Sequence, residues 1–152
     1  MVESTRDLAL VRTMLAEAEM APDGVEWPAA GYLIAWLGDD AVGLAGIEPK
    51  LDAALIRSLW VRESMRRRGI GSALLTAARK AAHTRGVRHL YVLAGEPRGY
   101  SKRFGFQQFA LDDLIAALAG TPMVEYYRAH PDDLAGQTAW HVDISDDGVI
   151  RR

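Results

Sequence analysis

The feature that most constrains the fold of this chain is the passage from an apolar segment into a helix between residues 59 and 81. Leu59-Trp60-Val61 ends a strand-like segment, and a basic, glycine-containing turn follows at 66–72. From Ile70, apolar residues recur at helical spacing through 73, 74, 77, 78 and 81. A helix entered through such a turn presents free backbone N–H groups and partial positive charge. The pattern predicts a site for a phosphate or pyrophosphate.

The turn itself does not match the two best-known phosphate loops. Gly69 and Gly71 leave room for a ligand's oxygens, and Arg66, Arg67 and Arg68 supply positive charge. A Walker loop needs a lysine after its last glycine, and a dinucleotide loop needs a third glycine, where this chain has Leu74. From local sequence alone, a solvated arginine run before an amphipathic helix stays open as the alternative.

Charge is segregated along the chain. Residues 1–56 contain ten acidic and three basic residues, whereas residues 57–103 contain twelve basic and two acidic residues. A basic middle third favours a polyanionic ligand. The acidic flanks argue against a broad surface that follows nucleic acid, so a small, highly charged cofactor fits better.

Several classes of function are excluded or disfavoured by composition. The chain has no cysteine, which excludes disulfides, thiolate metal ligands and a cysteine nucleophile. Its four histidines show no metal-ligand spacing, so we expect no metal site. No apolar run approaches the roughly 20 residues needed to cross a bilayer, and the N-terminus does not resemble a secretory signal. We therefore expect a cytoplasmic protein with no membrane contact.

The 152 residues are 49% apolar and 25% charged, which is typical of one globular domain. Periodicity predicts an α+β architecture with a mixed sheet. We expect a first helix capped by Ser4 or Thr5, and no assignment is made for 121–136. The other predicted elements are strands at 32–38, 41–49, 53–61, 89–95, 106–111 and 138–145, a helix from 70 closed by Gly86, a short helix closed by Gly105, and a helix at 112–119.

The pattern Arg66-x-x-Gly69-x-Gly71, directly after Ser58-Leu59-Trp60-Val61, resembles the acetyl-CoA signature of the GNAT superfamily of N-acetyltransferases. The preceding strands, "HLYVL" one helix later and "YSKRFGF" support the resemblance, which covers roughly residues 5–110. It implies one domain over residues 1–152, with a central, mostly antiparallel mixed sheet that splays between two strands and is flanked by helices. "AGIEP" with "ALIRSLWV" is similar to acetyltransferases that act on amino acids or in arsenic resistance.

The resemblance also implies the cofactor and its contacts. Acetyl-CoA would lay its pantetheine arm along the backbone of the fourth strand, beside a bulge, and its pyrophosphate in the glycine turn. The residues that the resemblance assigns to the cofactor are Leu59, Trp60, Val61, Arg66, Arg67, Arg68, Gly69, Ile70, Gly71 and Ser72. No metal is implied.

Acetyl transfer needs an acid for the leaving thiolate. The family uses a tyrosine four residues before the glycine of its "GF" ending, but this chain has Ser101 there and Tyr100 one step earlier. We expect Tyr100 to serve, with Ser101 or a water as the alternative, and Tyr126 or Tyr127 as substitutes.

Deprotonation of the acceptor amine needs a base. Glu48, at the end of a strand near the expected acceptor cleft, is the best candidate, and Glu96 is a weaker one. Arg57 and Trp60 would shape the acceptor pocket with it. A solvent-facing acid at a hairpin turn is the structural alternative for Glu48.

The sequence therefore predicts an acetyl-CoA-dependent N-acetyltransferase that acts on a primary amine of a small molecule, by direct attack without a covalent enzyme intermediate. The alternative is a non-catalytic module that binds or senses acyl-CoA. The expected partner is the small-molecule amine, not nucleic acid, and a homodimer is left open.

Overall fold

The computed structural model describes residues 1–95 and 103–148. The helices in these ranges are α1 (Leu8–Glu17), α2 (Ile70–Thr84), α3 (Leu111–Ala117), α4 (Pro122–Ala129) and α5 (Pro131–Leu134), with a 3₁₀ turn at Glu63–Met65. The strands are β1 (Val2–Thr5), β2 (Gly31–Leu37), β3 (Asp40–Lys50), β4 (Ala53–Val61), β5 (His89–Ala94), β6 (Gln107–Phe109) and β7 (Thr138–Asp143).

The described strands form one sheet in the order β1-β2-β3-β4-β5-β7-β6. Neighbouring strands are antiparallel except β4 and β5, which are parallel and are connected through α2. A parallel pair needs a long crossover, and the α2 helix provides it. The predicted α+β class with a mostly antiparallel mixed sheet is confirmed.

The helices cover the two faces of the sheet, which we call front and back. On the back face, Leu74, Leu75 and Ala78 of α2 pack against strand residues such as Ile56 and Val92. On the front face, α1 packs against β2 and β3, while α3 and α4 pack against β4, β5 and β7. Successive strand residues point to opposite faces of the sheet. Because helices cover both faces, the central strands carry apolar residues on both sides.

The start of α1 differs from the sequence prediction. Val2–Thr5 is an edge strand paired with β2, so neither Ser4 nor Thr5 caps the helix. Asp7 is the N-cap, and its Oδ1 accepts from the backbone N–H of Leu10 at 3.1 Å. Four residues at an edge carry too short a pattern to predict a strand, because the pairing partner lies some thirty residues along the chain.

The end of α2 confirms the sequence prediction. Gly86 adopts a positive φ of 88°, and its N–H donates to the carbonyl of His83. The N–H of Val87 donates to the carbonyl of Ala82, which completes a Schellman motif. The helix ends there because only glycine adopts this left-handed backbone without a steric penalty.

The segment 121–136, unassigned from sequence, forms α4 and α5. Each helix begins with a proline, Pro122 or Pro131, at a position where the missing N–H costs nothing. Met123 and Val124 bury the inner side of α4 against the front face. In the described ranges, no helix combines the length and apolar character required to span a membrane.

Candidate active site

The central strands β4 and β5 separate partway along their length. Their parallel pairing runs from Ala53 opposite His89 to Ile56 opposite Val92, while β4 continues to Val61. Beyond Ile56, no described residue pairs with the β5-facing edge of β4, which is therefore open in this part of the structure. The splay expected between these strands is confirmed.

A β-bulge lies at the start of the splay. In the pairing with β3, Gly46 is opposite Arg57 but Leu44 is opposite Trp60, so β4 carries one extra residue. Ser58 takes it up with a φ of +57°, a rare conformation for a non-glycine residue. The extra residue reverses the alternation, so Leu59 packs with the back-face core and Trp60 with the front-face core.

The open edge of β4 presents backbone groups to the gap. The N–H of Arg62 donates to the carbonyl of Val42 on the β3 side, so by alternation Leu59 and Val61 turn their N–H and C=O groups to the gap. Consistent with this, the carbonyl of Val61 accepts from Nε of Arg66 at 3.0 Å. This edge can accept an extended ligand as a further strand partner.

The turn before α2 presents a series of free donors. Gly69 is the N-cap with a φ of 78°, and Arg67 has a φ of +66°. Among the described residues, the backbone N–H groups of residues 67–72 donate to no protein acceptor. A Cβ added to Gly71 would meet a single heavy atom within 4 Å, Cγ2 of Val61 at 3.8 Å. The geometry suits a diphosphate, which the exposed arginines 66–68 would help to neutralise.

These features border one cleft of about 1460 Å³. On its back-face side lie the turn before α2, the end of β5, and Arg103 with Phe104. On its front-face side lie the chain after α1 and the α4–α5 segment. The lining residues on the front-face side are Glu19, Met20, Ala21, Met123, Tyr126, Tyr127, Asp133 and Gln137. The cleft thus passes through the splay from one face of the sheet to the other.

Glu48 and Arg57 form a buried ion pair on the front face. Glu48 is 0% exposed and Arg57 is 3% exposed, so the alternative of a solvent-facing acid is wrong. Nη1 of Arg57 lies 2.8 Å from Oε2 of Glu48, whose Oε1 accepts from the N–H of Met123 at 2.9 Å. Nη1 also donates to the carbonyl of Asp23, while Nη2 donates to the carbonyl of Ala21 and Nε to Oγ of Ser58.

This pair connects the two front-face walls of the cleft to the sheet. Ala21 belongs to one wall and Met123 to the other, while neither Glu48 nor Arg57 is among the described residues that line the cleft. Burial raises the pKa of Glu48, and the Met123 N–H and Arg57 oppose that shift. As a base Glu48 stays a prediction, and its protonation would leave Arg57 without its anionic partner.

The α4–α5 segment supplies the polar groups of the front-face side. The hydroxyl of Tyr126 donates to Oδ2 of Asp133 at 2.5 Å, and this hydrogen bond raises the pKa of Tyr126 to about 12. Tyr127 lines the cleft as well, and burial raises its pKa. Sequence reasoning missed Asp133 and Gln137. The two prolines that open α4 and α5 were the available signal for this wall.

The structure brings the predicted cofactor residues together. Leu59, Trp60, Val61, Arg66, Arg67 and the residues 69–72 line the cleft, and Arg68 lies in the same turn without lining it. Trp60 packs on the front face, and its role beside the acceptor stays a prediction. The predictions for Glu96, Tyr100 and Ser101 lie outside the described residues.

The described residues thus form a mixed sheet that splays beside a glycine turn, with one cleft crossing the splay. A family model described as "Acetyltransferase (GNAT) family" matches residues 5–106, and the chain belongs to this family. A comparison with curated protein sequences finds no match.

Solved structures share the fold at low sequence identity. Rv2747 from Mycobacterium tuberculosis, in complex with CoA and NLQ, has a TM-score of 0.73 at 16% identity, over 94% of this chain and 98% of that chain. An IAA acetyltransferase from Bacillus cereus has a TM-score of 0.68 at 19% identity, over 94% and 98%. N-acetylglutamate synthase from Neisseria gonorrhoeae, complexed with coenzyme A and N-acetyl-glutamate, has a TM-score of 0.66 at 18% identity, over 94% of this chain and 35% of that chain.

Proposed function

We propose that this protein is an acetyl-CoA-dependent N-acetyltransferase that acetylates a primary amine of a small molecule in the cytoplasm. The observation that carries the proposal is the run of free N–H groups at residues 67–72, beside the open edge of β4 in the same cleft. Family membership supports acyl transfer, and CoA in the structures of Rv2747 and the Neisseria synthase supports the choice of cofactor.

Each part of the cofactor has a proposed contact. The donors at residues 67–72 would hold the pyrophosphate, and Arg66, Arg67 and Arg68 would neutralise it. The backbone of Leu59 and Val61 would bind the pantetheine amides, which places the thioester near the bulge at Ser58. The acceptor amine would then approach from the front-face side.

The reaction forms one C–N bond and breaks one C–S bond. The amine nitrogen attacks the thioester carbonyl, loses a proton, and the CoA sulfur leaves and takes up a proton. No covalent enzyme intermediate is needed, which agrees with the absence of cysteine. We propose Tyr100 as the proton donor to the sulfur. Among the substitutes Tyr127 is better placed than Tyr126, whose proton is committed to Asp133.

For Glu48 the contacts support a positioning role better than that of a base. Both of its oxygens already accept hydrogen bonds, one from Arg57 and one from Met123. A base must accept a proton during turnover, and protonation of Glu48 would break its buried ion pair with Arg57. Glu48, Arg57 and Trp60 would then shape the acceptor side together.

The proposal is tested by binding and by transfer. Acetyl-CoA and CoA should raise the melting temperature, whereas NAD and ATP should not, because only ligands that bind the folded state stabilise it. A panel of amines should then release free thiol from acetyl-CoA. A thiol reagent reads this release cleanly, since the protein has no cysteine. Binding without transfer to any amine would favour the non-catalytic acyl-CoA module, and an equal shift with ATP would contradict a specific CoA site.

The role of Tyr100 is read from the same assay. Tyr100→Phe keeps the ring, so acetyl-CoA affinity should be retained while turnover falls by roughly 10²–10⁴, the usual contribution of one positioned proton donor. Ser101→Ala is the control and should be nearly silent. A silent Tyr100→Phe with a damaged Ser101→Ala would move the role to Ser101.

A further inference from the structure

Charge around the cleft is divided between the two faces of the sheet. The described arginines that line it, Arg66, Arg67 and Arg103, belong to the turn before α2 and to the chain beside Phe104, which packs against the back-face core. Among the described residues, the charged side chains of the front-face wall are Glu19 and Asp133, both acidic. Glu19 also lines a second, smaller cavity, which it shares with Arg66 of the turn. Among the described front-face charges, Asp133 is therefore the one that shares no such second cavity with an arginine of the turn.

The buried cation behind this wall is not available to a substrate. Arg57 is 3% exposed and does not line the cleft, and four of its five N–H donors bind Glu48, the carbonyls of Ala21 and Asp23, and Ser58. An acceptor that carries a carboxylate therefore finds no free basic side chain in the described part of the front-face wall. It would meet Asp133 instead, and like charges in a cleft repel each other.

Asp133 is exposed and has one carboxylate oxygen available to a cation in the cleft. Its Oδ2 accepts from the Tyr126 hydroxyl, and its other carboxylate oxygen accepts from no donor in the described residues. Tyr126 and Tyr127 line the same wall in an edge-to-face contact, with ring centroids 5.6 Å apart, and His130 stacks on Tyr126 at 4.1 Å. An ammonium group gains from a carboxylate and from aromatic faces together.

We infer that the acceptor is a cationic amine without a carboxylate, of the aliphatic diamine class, whose distal ammonium binds Asp133 on the cleft side, beside the contacting rings of Tyr126 and Tyr127. The inference rests on the proposed function and names its substrate class. Asp133 selects the substrate, and Tyr126 positions Asp133. The other end of the molecule reaches the thioester as a neutral amine.

Three acceptors of matched length test the inference. 1,5-Diaminopentane and lysine differ only by the α-carboxylate, and pentylamine lacks the second amino group. With saturating acetyl-CoA, we expect kcat/KM for the diamine to exceed that for pentylamine by about tenfold, the value of one charge-assisted hydrogen bond at a partly solvated site. Lysine should be the poorer substrate by at least about the same factor. Lysine equal to or better than the diamine would overturn the inference.

Variants at two neighbouring aspartates test whether Asp133 itself selects the diamine or whether any nearby negative charge does so. Asp133→Asn should lower the diamine-to-pentylamine ratio of kcat/KM to about one, mainly through KM, and Tyr126→Phe should lower it partway. Asp132→Asn is the matched control and should preserve the ratio, because Asp132 is exposed on the same helix, as Asp133 is, but does not line the cleft. A ratio unchanged in Asp133→Asn would overturn the inference.

A binding measurement keeps the inference separate from catalysis. Calorimetric titration of 1,5-diaminopentane into CoA-saturated protein should show binding that Asp133→Asn weakens and Asp132→Asn does not. Transfer to other amines without binding of the diamine would overturn the inference and leave the proposed function standing. Binding of the diamine without transfer to any amine would support the diamine site and contradict the proposed transferase function.

Discussion

Arg57 and Glu48 hold together parts of the chain that are remote in sequence. Arg57 reaches carbonyls 34 and 36 residues away, and Glu48 accepts from Met123, 75 residues away. Gly46 makes this possible, because a Cβ there would lie 2.7 Å from Cγ of Arg57 and 2.9 Å from Cε1 of Tyr32. One pair of side chains thus sets the distance between both acceptor walls and the sheet.

The first prediction concerns this pair. Glu48→Gln removes the negative charge and leaves Arg57 buried among neutral acceptors, so the free energy of unfolding should fall by about 3–5 kcal/mol in urea denaturation. If Glu48 positions the walls, kcat/KM should fall by the same factor across pH. A larger loss at low pH would instead identify Glu48 as the base, because at high pH the amine arrives neutral.

A surface pair supplies the control. Glu26 and Arg12 are paired at 3.4 Å, but their side chains are 71% and 50% exposed. Glu26→Gln should cost at most about 1 kcal/mol, the usual limit for exposed pairs, and should leave turnover unchanged. Equal losses of stability in the two variants would argue that the burial of the Glu48–Arg57 pair has no energetic consequence.

Among the elements, the N-terminus of α2 carries the proposed cofactor site. Its turn is shaped by two left-handed residues, Arg67 and Gly69, and the following N–H groups have no acceptor within residues 1–95 and 103–148. The bulge at Ser58 is a third such position in the same cleft. Rare backbone conformations are retained where the surrounding structure compensates for them, and they cluster at functional sites.

The second prediction tests this element. Gly71→Val should abolish measurable CoA binding by calorimetry, because a branched side chain would occupy the approach of the pyrophosphate. The fold should persist, since a Cβ at this position meets no atom closer than 3.8 Å. Ala73→Val, at an exposed position of the same helix outside the cleft, should bind CoA normally. Unchanged affinity in Gly71→Val would contradict the assignment of the turn.

For the whole molecule, stability should depend on a histidine pair between β5 and β7. Nδ1 of His89 lies 3.0 Å from Nε2 of His141, beside the rings of Tyr91 and Phe109. Burial lowers the pKa of His141, and His89 lowers it further, against a smaller opposing effect of Asp143. The folded state therefore binds a proton at His141 less readily than the unfolded chain does.

The third prediction follows from that sign. Because the pKa of His141 is lower in the folded state, this histidine stabilises the fold at pH values above its unfolded pKa of 6.5. The stabilisation is lost as the pH falls through the folded-state pKa. The melting temperature should thus decline between pH 7.5 and 5.5, and His141→Gln should decline less. His130→Gln, at an exposed histidine away from the pair, should follow the original protein. Parallel curves for all three proteins would exclude the pair as the cause.

Much of the architecture follows from local sequence because its causes are local. The period of α2, the left-handed Gly86 and the limits of β4 at 53–61 depend on residues within a few positions of one another, and all three were predicted. Spacing likewise located the glycine turn at the start of α2, whereas its use as a phosphate site stays a prediction. The segment 121–136 was not readable, because two short helices bury too few residues to show a period.

By itself, the sequence determined the class of fold, the position of the turn before α2 and the resemblance to acetyltransferases. The tertiary structure decided which side chains face the cleft. Glu48 was expected at its edge but lies buried behind it, and Asp133 was overlooked but lines it. The reason is physical: a backbone turn is specified by neighbouring residues, whereas the partner of a carboxylate is chosen by packing between segments that only folding brings together.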